Sequence, residues 1–250
     1  MVDAQGAYAT VLVSTPMAAL RLAAGAPADL ARKRPCLVFT TGESGGSIDV
    51  IRRDIQHAFG GRCVDIYARR QTGVVGSSCS QRAGGIHLNE SRFELDVWQL
   101  ETDTPCADGE LGQLVINGQP TGDLVRLSHG ECVCGSSRTW AIDGVLGRRD
   151  ELVSVRGHRL LPSDFERVIL RHPGVADFRL RLYTSGQENE VAVLIEADAA
   201  MASESDRARV EAEISEELKR SLGLRLQCEI VPPPPTRSGA RAARVPITGS

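Results

Sequence analysis

The chain has 250 residues, of which 42% are hydrophobic, and a formal net charge of −3. This length is enough to bury a core in one or two domains, and the small net charge argues against nucleic acid as a partner. The first 15 residues lack the basic and apolar regions of a signal peptide, and no segment reaches the roughly 18–20 consecutive apolar residues of a membrane span.

The first 70 residues alternate strand and helix patterns. Strands are predicted at Tyr8–Ser14, Cys36–Thr40 and Arg62–Tyr67. A threonine–proline pair at 15–16 opens the first helix, with Thr as N-cap and Pro at the first helical position. The second helix follows the loop 41–46, and its apolar residues recur at helical spacing (Ile48, Ile51, Ile55 and Phe59). This order predicts an α/β domain with parallel strands.

From Gly84 the apolar residues follow strand periodicity instead. Phe93, Leu95 and Val97 alternate with acidic residues, and short strands are predicted at 114–116 and 124–127. We predict that a first domain with a β-rich region spans residues 1–148 and a second domain spans residues 149–250, with a hinge near Asp150.

The second domain is predicted to be a split β-α-β-β-α-β sandwich. Its first helix should begin at a capping box made by Ser163 and Glu166. The other elements are strands at 151–155, 178–183, 190–195 and 226–231 and a long helix at about 204–222, before the prolines 232–235. The fold class is therefore α/β plus α+β.

Four motifs occur in a fixed order along the chain. They are Thr41-Gly42-Glu43, the segment 65–71 (DIYARRQ), Thr121-Gly122-Asp123, and the segment 147–151 (GRRDE) followed by Arg156-Gly157 and Pro162. Together they resemble the motifs of the phenylacetate–CoA ligase family of adenylate-forming enzymes, over roughly residues 8–246. Each motif alone is also typical of an ordinary turn or surface loop, so the order and spacing carry the resemblance.

The resemblance implies activation of a carboxylic acid by MgATP to an acyl-adenylate, followed by transfer to coenzyme A. It assigns nucleotide (ATP/AMP) contacts to Thr41, Gly42, Glu43, Tyr67, Asp123 and Arg148. Such chemistry needs a loop that wraps the triphosphate, a carboxylate for Mg²⁺ and a lysine for the charge that develops in the transition state.

The sequence departs from the family at two catalytic positions. Gln71 stands where the family has its metal-binding glutamate, and Ala240 stands where it has its catalytic lysine. The neighbouring Arg241 does not replace an ammonium group. The family's phosphate loop lies upstream of the matched region. We therefore expect no intact catalytic set and weak or absent activity of the chain alone.

Four residues suggest a structural zinc site. The chain has seven cysteines, an odd number that predicts reduced thiols in the cytoplasm rather than disulfides. Three of them, Cys79, Cys132 and Cys134, combine with His87 into a Cys₃His set, which is typical of closed tetrahedral zinc sites. Some members of the resembled family carry a similar set. The alternative is that these are ordinary reduced cysteines.

Three functions remain open at this stage. In the first, the chain is an acyl-CoA ligase that is completed by a separately encoded N-terminal half or acts as a homo-oligomer. In the second, it is a non-catalytic partner or binding protein that keeps the ligase fold. In the third, it handles CoA thioesters without ATP. The expected ligands are a small carboxylic acid or an acyl-CoA, and no membrane partner is expected.

Overall fold

The computed structural model describes residues 11–24, 37–185, 188–197, 201, 203–232 and 247–248. The chain divides into two compact units, residues 1–149 and 150–250. Its described helices are α1 (Pro16–Ala24), α2 (Asp49–Phe59), α3 (Pro162–Ile169) and α4 (Glu204–Leu222), with a short 3₁₀ turn at Arg149–Glu151. Among the described residues, no helix combines the length and the apolar character needed to cross a membrane.

The strands of the first unit form one ten-stranded sheet with the order β1-β2-β3-β4-β5-β9-β8-β7-β6, in which β10 also pairs with β8. They are β1 (Val11–Ser14), β2 (Leu37–Thr40), β3 (Arg62–Arg69), β4 (Gly73–Ser78), β5 (Gly85–Leu88), β6 (Leu95–Trp98), β7 (Leu111–Ile116), β8 (Gln119–Ser128), β9 (Trp140–Ile142) and β10 (Gly147–Arg148). The first three strands pair in parallel, and all later pairs are antiparallel.

Helix α2 shows how the sequence fixes the parallel part. Ile51, Ile55 and Phe59 are buried on one side of it, while Ile48 precedes the helix at the N-cap position. Gly60 ends the helix in the left-handed conformation, with φ of 65°, which glycine adopts without a Cβ penalty. The helix then returns the chain to β3, and a crossover helix of this kind is what parallel neighbours require.

The antiparallel part has its own apolar core. Its buried members include Ile86, Leu88, Leu114 and Val125, each 1% exposed or less. Removal of such side chains from water contributes about 1.5–3 kcal/mol each. The sheet changes from parallel to antiparallel pairing between β3 and β4, which is earlier in the chain than the change of periodicity predicted at Gly84.

The second unit contains a four-stranded sheet with the order β15-β14-β13-β16 and a separate two-stranded hairpin, β11-β12. The strands are β11 (Val153–Val155), β12 (His158–Leu160), β13 (Val175–Ser185), β14 (Glu188–Ala197), β15 (Gln227–Val231) and β16 (Ile247–Thr248). Helix α4 covers the predicted span and buries Val210, Ile214 and Leu218. The predicted fold class, a large α/β domain with a β-rich region followed by a smaller α+β domain, is confirmed.

One strand differs from the prediction. The predicted strand at 151–155 does not join the four-stranded sheet but pairs with β12. The reason is local, because Arg156 and Gly157 both have positive φ, 47° and 78°, as a two-residue type I′ hairpin turn requires. The position beside β13 is occupied by β16, which pairs with it in parallel.

The predicted capping box of α3 is wrong. The helix begins at Pro162, and the N-cap is Leu161, whose backbone N–H donates to Asp164 Oδ2 at 2.8 Å. Proline is favoured at the first helical position because it lacks an N–H that would otherwise be unpaired. This places Ser163 and Glu166 inside the helix, where both side chains are buried.

Candidate functional site

Three groups converge on the carboxylate of Asp123 in β8. Arg148 Nη1 donates to Asp123 Oδ1 at 3.0 Å, while Tyr67 Oη donates to Asp123 Oδ2 at 2.6 Å. Arg69 Nη1 donates to the same Oδ2 and also to the carbonyl oxygen of Thr121 at 3.0 Å. The structure thus joins three residues assigned to the nucleotide site, Tyr67, Asp123 and Arg148, with one that was not, Arg69.

The backbone explains why Asp123 and Arg148 meet. Arg148 in β10 lies directly opposite Asp123 in the antiparallel register. Gly122 has φ of 80°, and a Cβ there would lie 2.8 Å from Arg148 Nη2. The Thr121 hydroxyl donates to Leu114 O at 2.7 Å and accepts from the Asp123 N–H at 3.0 Å. Each residue of the Thr-Gly-Asp motif therefore has a distinct part in holding the carboxylate.

Tyr67 is strongly biased toward its neutral form. Burial raises its pKa, and the negative charge of Asp123 raises it further. A neutral tyrosine keeps its proton as a hydrogen-bond donor, so Tyr67 is held as a donor toward Asp123. Strand periodicity gave a signal for Arg69 that the motif comparison missed, because Arg69 lies two positions after Tyr67 in β3.

The loop 41–47 is fastened to β3 through Asp65. Asp65 Oδ1 accepts from Thr40 Oγ1 at 2.9 Å, and Oδ2 accepts from Ser47 Oγ at 2.5 Å. Burial raises the pKa of Asp65, and the two hydroxyl donors oppose that rise. Gly46 is the close neighbour of this group, since a Cβ there would lie 2.1 Å from Asp65 Oδ1.

The same loop is also anchored to the first parallel strand and helix. Thr41 N–H donates to the carbonyl oxygen of Ser14 at 3.1 Å. Glu43 Oε1 accepts from the Met17 N–H at 3.0 Å, at the start of α1, where backbone N–H groups lack helical partners. Thr41, Gly42 and Glu43 therefore follow the carboxyl end of β2, the side on which open α/β sheets bind ligands.

Gln71 and Ala240, the two positions at which the sequence predicts a departure from the catalytic set of the family, differ in how far the structure describes them. Gln71 is exposed in the turn between β3 and β4. Ala240 lies outside the described residues, as do all the prolines after Pro232.

A second cluster is formed by residues of β5 and of the segments that follow β4 and β8. The ligand atoms of Cys79, His87, Cys132 and Cys134 all lie within 4.8 Å of one another. Tetrahedral coordination with Zn–S bonds of about 2.3 Å separates ligand atoms by roughly 3.5–4 Å, and Cys134 Sγ lies 3.5 Å from His87 Nε2. These four side chains could therefore hold one tetrahedral ion with little movement.

The surrounding residues orient the four groups. His87 Nδ1 lies 3.4 Å from the carbonyl oxygen of Arg138, which accepts its proton when Nε2 is the ligand atom, the usual second contact of a metal-bound histidine. His87 also meets the edge of the Trp140 ring, with centroids 4.8 Å apart. Gly135, with φ of 79°, donates its N–H to Cys132 O at 2.8 Å and so closes the turn that brings two thiols together.

The pKa of the Cys79 thiol lies below its ordinary value. Burial acts to raise its pKa, but the N–H groups of Gln81 and Arg82 and the contact with His87 outweigh it and lower the pKa to about 6. The Gln81 N–H lies 3.3 Å from Cys79 Sγ. Arg52, which is buried in α2, donates to the Cys79 carbonyl oxygen at 3.0 Å and links the cluster to the parallel part of the sheet.

Comparison with known proteins shows what this chain is similar to. Residues 157–246 match the family described as the AMP-binding enzyme C-terminal domain. Across 79% of this chain, the sequence is 26% identical to the phenylacetate–coenzyme A ligase of Thermus thermophilus. The predicted relationship to phenylacetate–CoA ligases is confirmed. The Escherichia coli phenylacetate–coenzyme A ligase is 24% identical over 78% of the chain, and the chain spans about half the length of these ligases.

Solved structures share the fold. A 2-hydroxyisobutyryl-CoA ligase in its postadenylation state matches 94% of this chain and 54% of its own length, with a TM-score of 0.81 at 21% identity. An anthranilate CoA ligase in complex with anthranoyl-AMP matches 91% of this chain and 47% of its own length, with a TM-score of 0.68 at 16% identity. The fold of this phenylacetate–CoA ligase relative is therefore that of acyl-CoA ligases.

Proposed function

We propose that this chain is an adenylate-forming, aryl- or acyl-CoA ligase-like protein with weak or no activity by itself. Its residues 1–148 would be the nucleotide-facing part of a large ligase domain and residues 149–250 the C-terminal domain. The observation that supports the proposal is the cluster of Tyr67, Asp123 and Arg148, because motifs that are distant in the sequence meet at one carboxylate.

In this proposal the Asp123 carboxylate accepts hydrogen bonds from the ribose hydroxyls of ATP or AMP, with Tyr67 and Arg148 holding it in place. Thr41, Gly42 and Glu43 lie beside the adenine. Gln71 offers Mg²⁺ only an amide oxygen, a weaker ligand for a hard cation than a carboxylate, and Ala240 offers no charge to the transition state. The proposal therefore includes nucleotide binding but little adenylate formation.

A second candidate function is supported by Arg69. The Asp123 carboxylate already accepts three hydrogen bonds within the protein, and two of these bonds come from arginines. Since a carboxylate has about four acceptor sites, few remain for the ribose hydroxyls. This arrangement favours a non-catalytic binding or partner protein that retains the ligase fold.

Calorimetric titration of the chain with ATP, AMP and CoA separates the two candidates. Asp123→Asn and the control Asp96→Asn, at an exposed position of β6, are titrated in parallel. If the ligase-like proposal holds, the chain binds AMP or ATP, Asp123→Asn weakens binding about tenfold or more, and Asp96→Asn does not. No binding of either nucleotide by the unaltered chain would reject the proposal and favour the non-catalytic alternative.

We further propose that Cys79, His87, Cys132 and Cys134 hold one structural zinc ion. The set offers four protein ligands, three thiolates and one imidazole, which leaves no open position for substrate and marks a structural rather than a catalytic site. The low pKa of Cys79 is consistent with the deprotonated thiol that zinc requires. When bound, the ion would tie the β4–β5 region to the loop between β8 and β9.

A further inference from the structure

The parallel strands β1, β2 and β3 have two faces of different character. On one face, Val38, Thr40 and Cys63 are fully buried and Asp65 nearly so. Val38 lies opposite Cys63 and Thr40 opposite Asp65 in the register, so these side chains form one continuous surface. In addition, the Cys63 N–H donates to the Gln56 side chain of α2 at 3.2 Å.

The opposite face, here called the valine face, consists of Val11, Val13, Leu37, Phe39 and Val64. Val11 lies opposite Leu37, and Phe39 lies between Val13 and Val64. The two valines of β1 are 50% and 66% exposed, and the other three residues are half-buried. Five apolar side chains therefore form a contiguous, partly exposed row across three strands.

An apolar face of this kind is unusual for parallel strands. Parallel sheets occur almost only with both faces covered, and their strands are apolar on both sides for that reason. Exposed apolar patches on soluble proteins commonly mark an interaction site. In addition, β1 lies at the end of the sheet order formed by the described residues, and an edge strand offers backbone groups to an added strand.

We propose that the valine face and the edge of β1 that is unpaired among the described residues are the docking surface for a polypeptide equivalent to the part of acyl-CoA ligases that this chain does not cover. The Thermus thermophilus ligase and the 2-hydroxyisobutyryl-CoA ligase each have nearly as much sequence outside the match as within it, since the chain covers 51% and 54% of them. A segment of that size can supply both a covering layer for the valine face and a strand beside β1.

This inference depends on the ligase fold and not on catalysis. The chemistry of the surface also favours a folded apolar partner, because Val11, Val13, Leu37, Phe39 and Val64 carry no charge that would select a nucleic acid or a charged peptide. A second copy of this chain is the competing occupant, and it would bind through the same valines.

The test mixes the chain with the other half of the Thermus thermophilus ligase, prepared as a separate polypeptide, and follows the mass by light scattering after gel filtration. The positive control replaces this chain by the half of the Thermus thermophilus ligase that aligns with it. Recombination of the two ligase halves shows that the separately prepared half is folded well enough to bind. We expect a one-to-one complex. Val11→Asp and Val13→Asp should each weaken it at least tenfold, whereas Val74→Asp should not, since Val74 is 49% exposed on β4, outside the valine face.

Three results would overturn the proposal. They are absence of the complex while the control halves combine, equal binding by the valine variants and wild type, and self-association of the chain that the valine variants abolish. Tryptophan fluorescence verifies that each variant is folded. Nucleotide titration of the same samples separates the two proposals, because a complex that binds no ATP or AMP supports the docking surface and rejects the ligase-like function.

Discussion

At the residue scale, Gly46 has the strictest steric requirement of the candidate nucleotide loop. In Gly46→Ala the new methyl group would lie 2.1 Å from Asp65 Oδ1 and 2.4 Å from Thr40 Oγ1, and both side chains are buried. We expect a loss of about 1–3 kcal/mol in the free energy of unfolding, typical of overpacking. Urea denaturation followed by tryptophan fluorescence measures the first unit specifically, because both tryptophans, Trp98 and Trp140, lie in it.

Gly118→Ala is the matched control for that variant. Gly118 has φ of 72°, and its added Cβ would meet nothing within 4 Å, so only the cost of the left-handed backbone remains, about 1 kcal/mol. An unaltered urea midpoint for Gly46→Ala would show that the hydrogen bonds of Asp65 do not fix this loop.

The zinc proposal also makes a prediction about single residues. Protein purified without chelators should contain one zinc per chain, and Cys132→Ser should lose it, whereas Cys106→Ser should retain it. Cys106 is a half-buried cysteine outside the cluster. Since Trp140 contacts His87, chelation of the zinc should also change the tryptophan fluorescence. Elemental analysis that finds no zinc in the unaltered protein would contradict the proposal.

At the scale of elements, the contact between α3 and α4 should make the second unit sensitive to acid. Glu217 in α4 accepts from Arg171 Nε at 3.2 Å and lies 3.1 Å from His172 Nε2, and Arg220 lies 3.9 Å away. Burial acts to raise the Glu217 pKa, but Arg171 and His172 outweigh it and hold the pKa below its ordinary value of 4.5. A carboxylate whose pKa is lowered by folding stabilises the protein above its unfolded pKa.

The lowered pKa of Glu217 determines how the stability of the second unit depends on pH. The stabilisation is fully present above pH 4.5 and is lost as the pH falls through the lower pKa of the folded state. Glu217→Gln should therefore cost about 0.5–1 kcal/mol near pH 7 and progressively less below pH 4.5. Glu216→Gln, at an exposed neighbouring position with contacts of 3.6 Å and 3.7 Å, should cost less near pH 7. Circular dichroism melts follow both variants, and a penalty for Glu217→Gln that does not depend on pH would contradict the linkage.

At the scale of the whole molecule, the prediction concerns adenylate formation. Exchange of pyrophosphate into ATP by this chain, with a panel of aryl and acyl acids, should be far below that of the full-length Escherichia coli ligase. Loss of one preorganised charge-stabilising group costs about 10²–10³-fold in rate where it has been tested. Ala240→Lys alone should recover little, because Gln71 still occupies the position predicted for the magnesium ligand and residues that act as a unit are not additive. Robust exchange by the unaltered chain would refute this prediction.

The order of the helices and strands along the chain could be predicted from the sequence because it depends on local patterns. The helical spacing of Ile51, Ile55 and Phe59 and the span of α4 depend on periodicity, and both correspond to helices in the structure. The kinship with phenylacetate–CoA ligases was readable because the order and spacing of short motifs are properties of the sequence. The capping of α3 was misread because Ser163 and Glu166 have the right spacing, whereas Pro162 determines where the helix begins.

Only the tertiary structure determined which residues that are distant along the chain lie close together. The position of Arg69 against Asp123 depends on how β3 and β8 are arranged in one sheet, and 54 residues separate them. The strand at 151–155 became half of a hairpin because a turn with two positive φ angles redirected it. The uncovered valine face was equally invisible to the sequence, because apolar alternation predicts which residues a strand can bury but not whether a neighbouring layer is there to bury them.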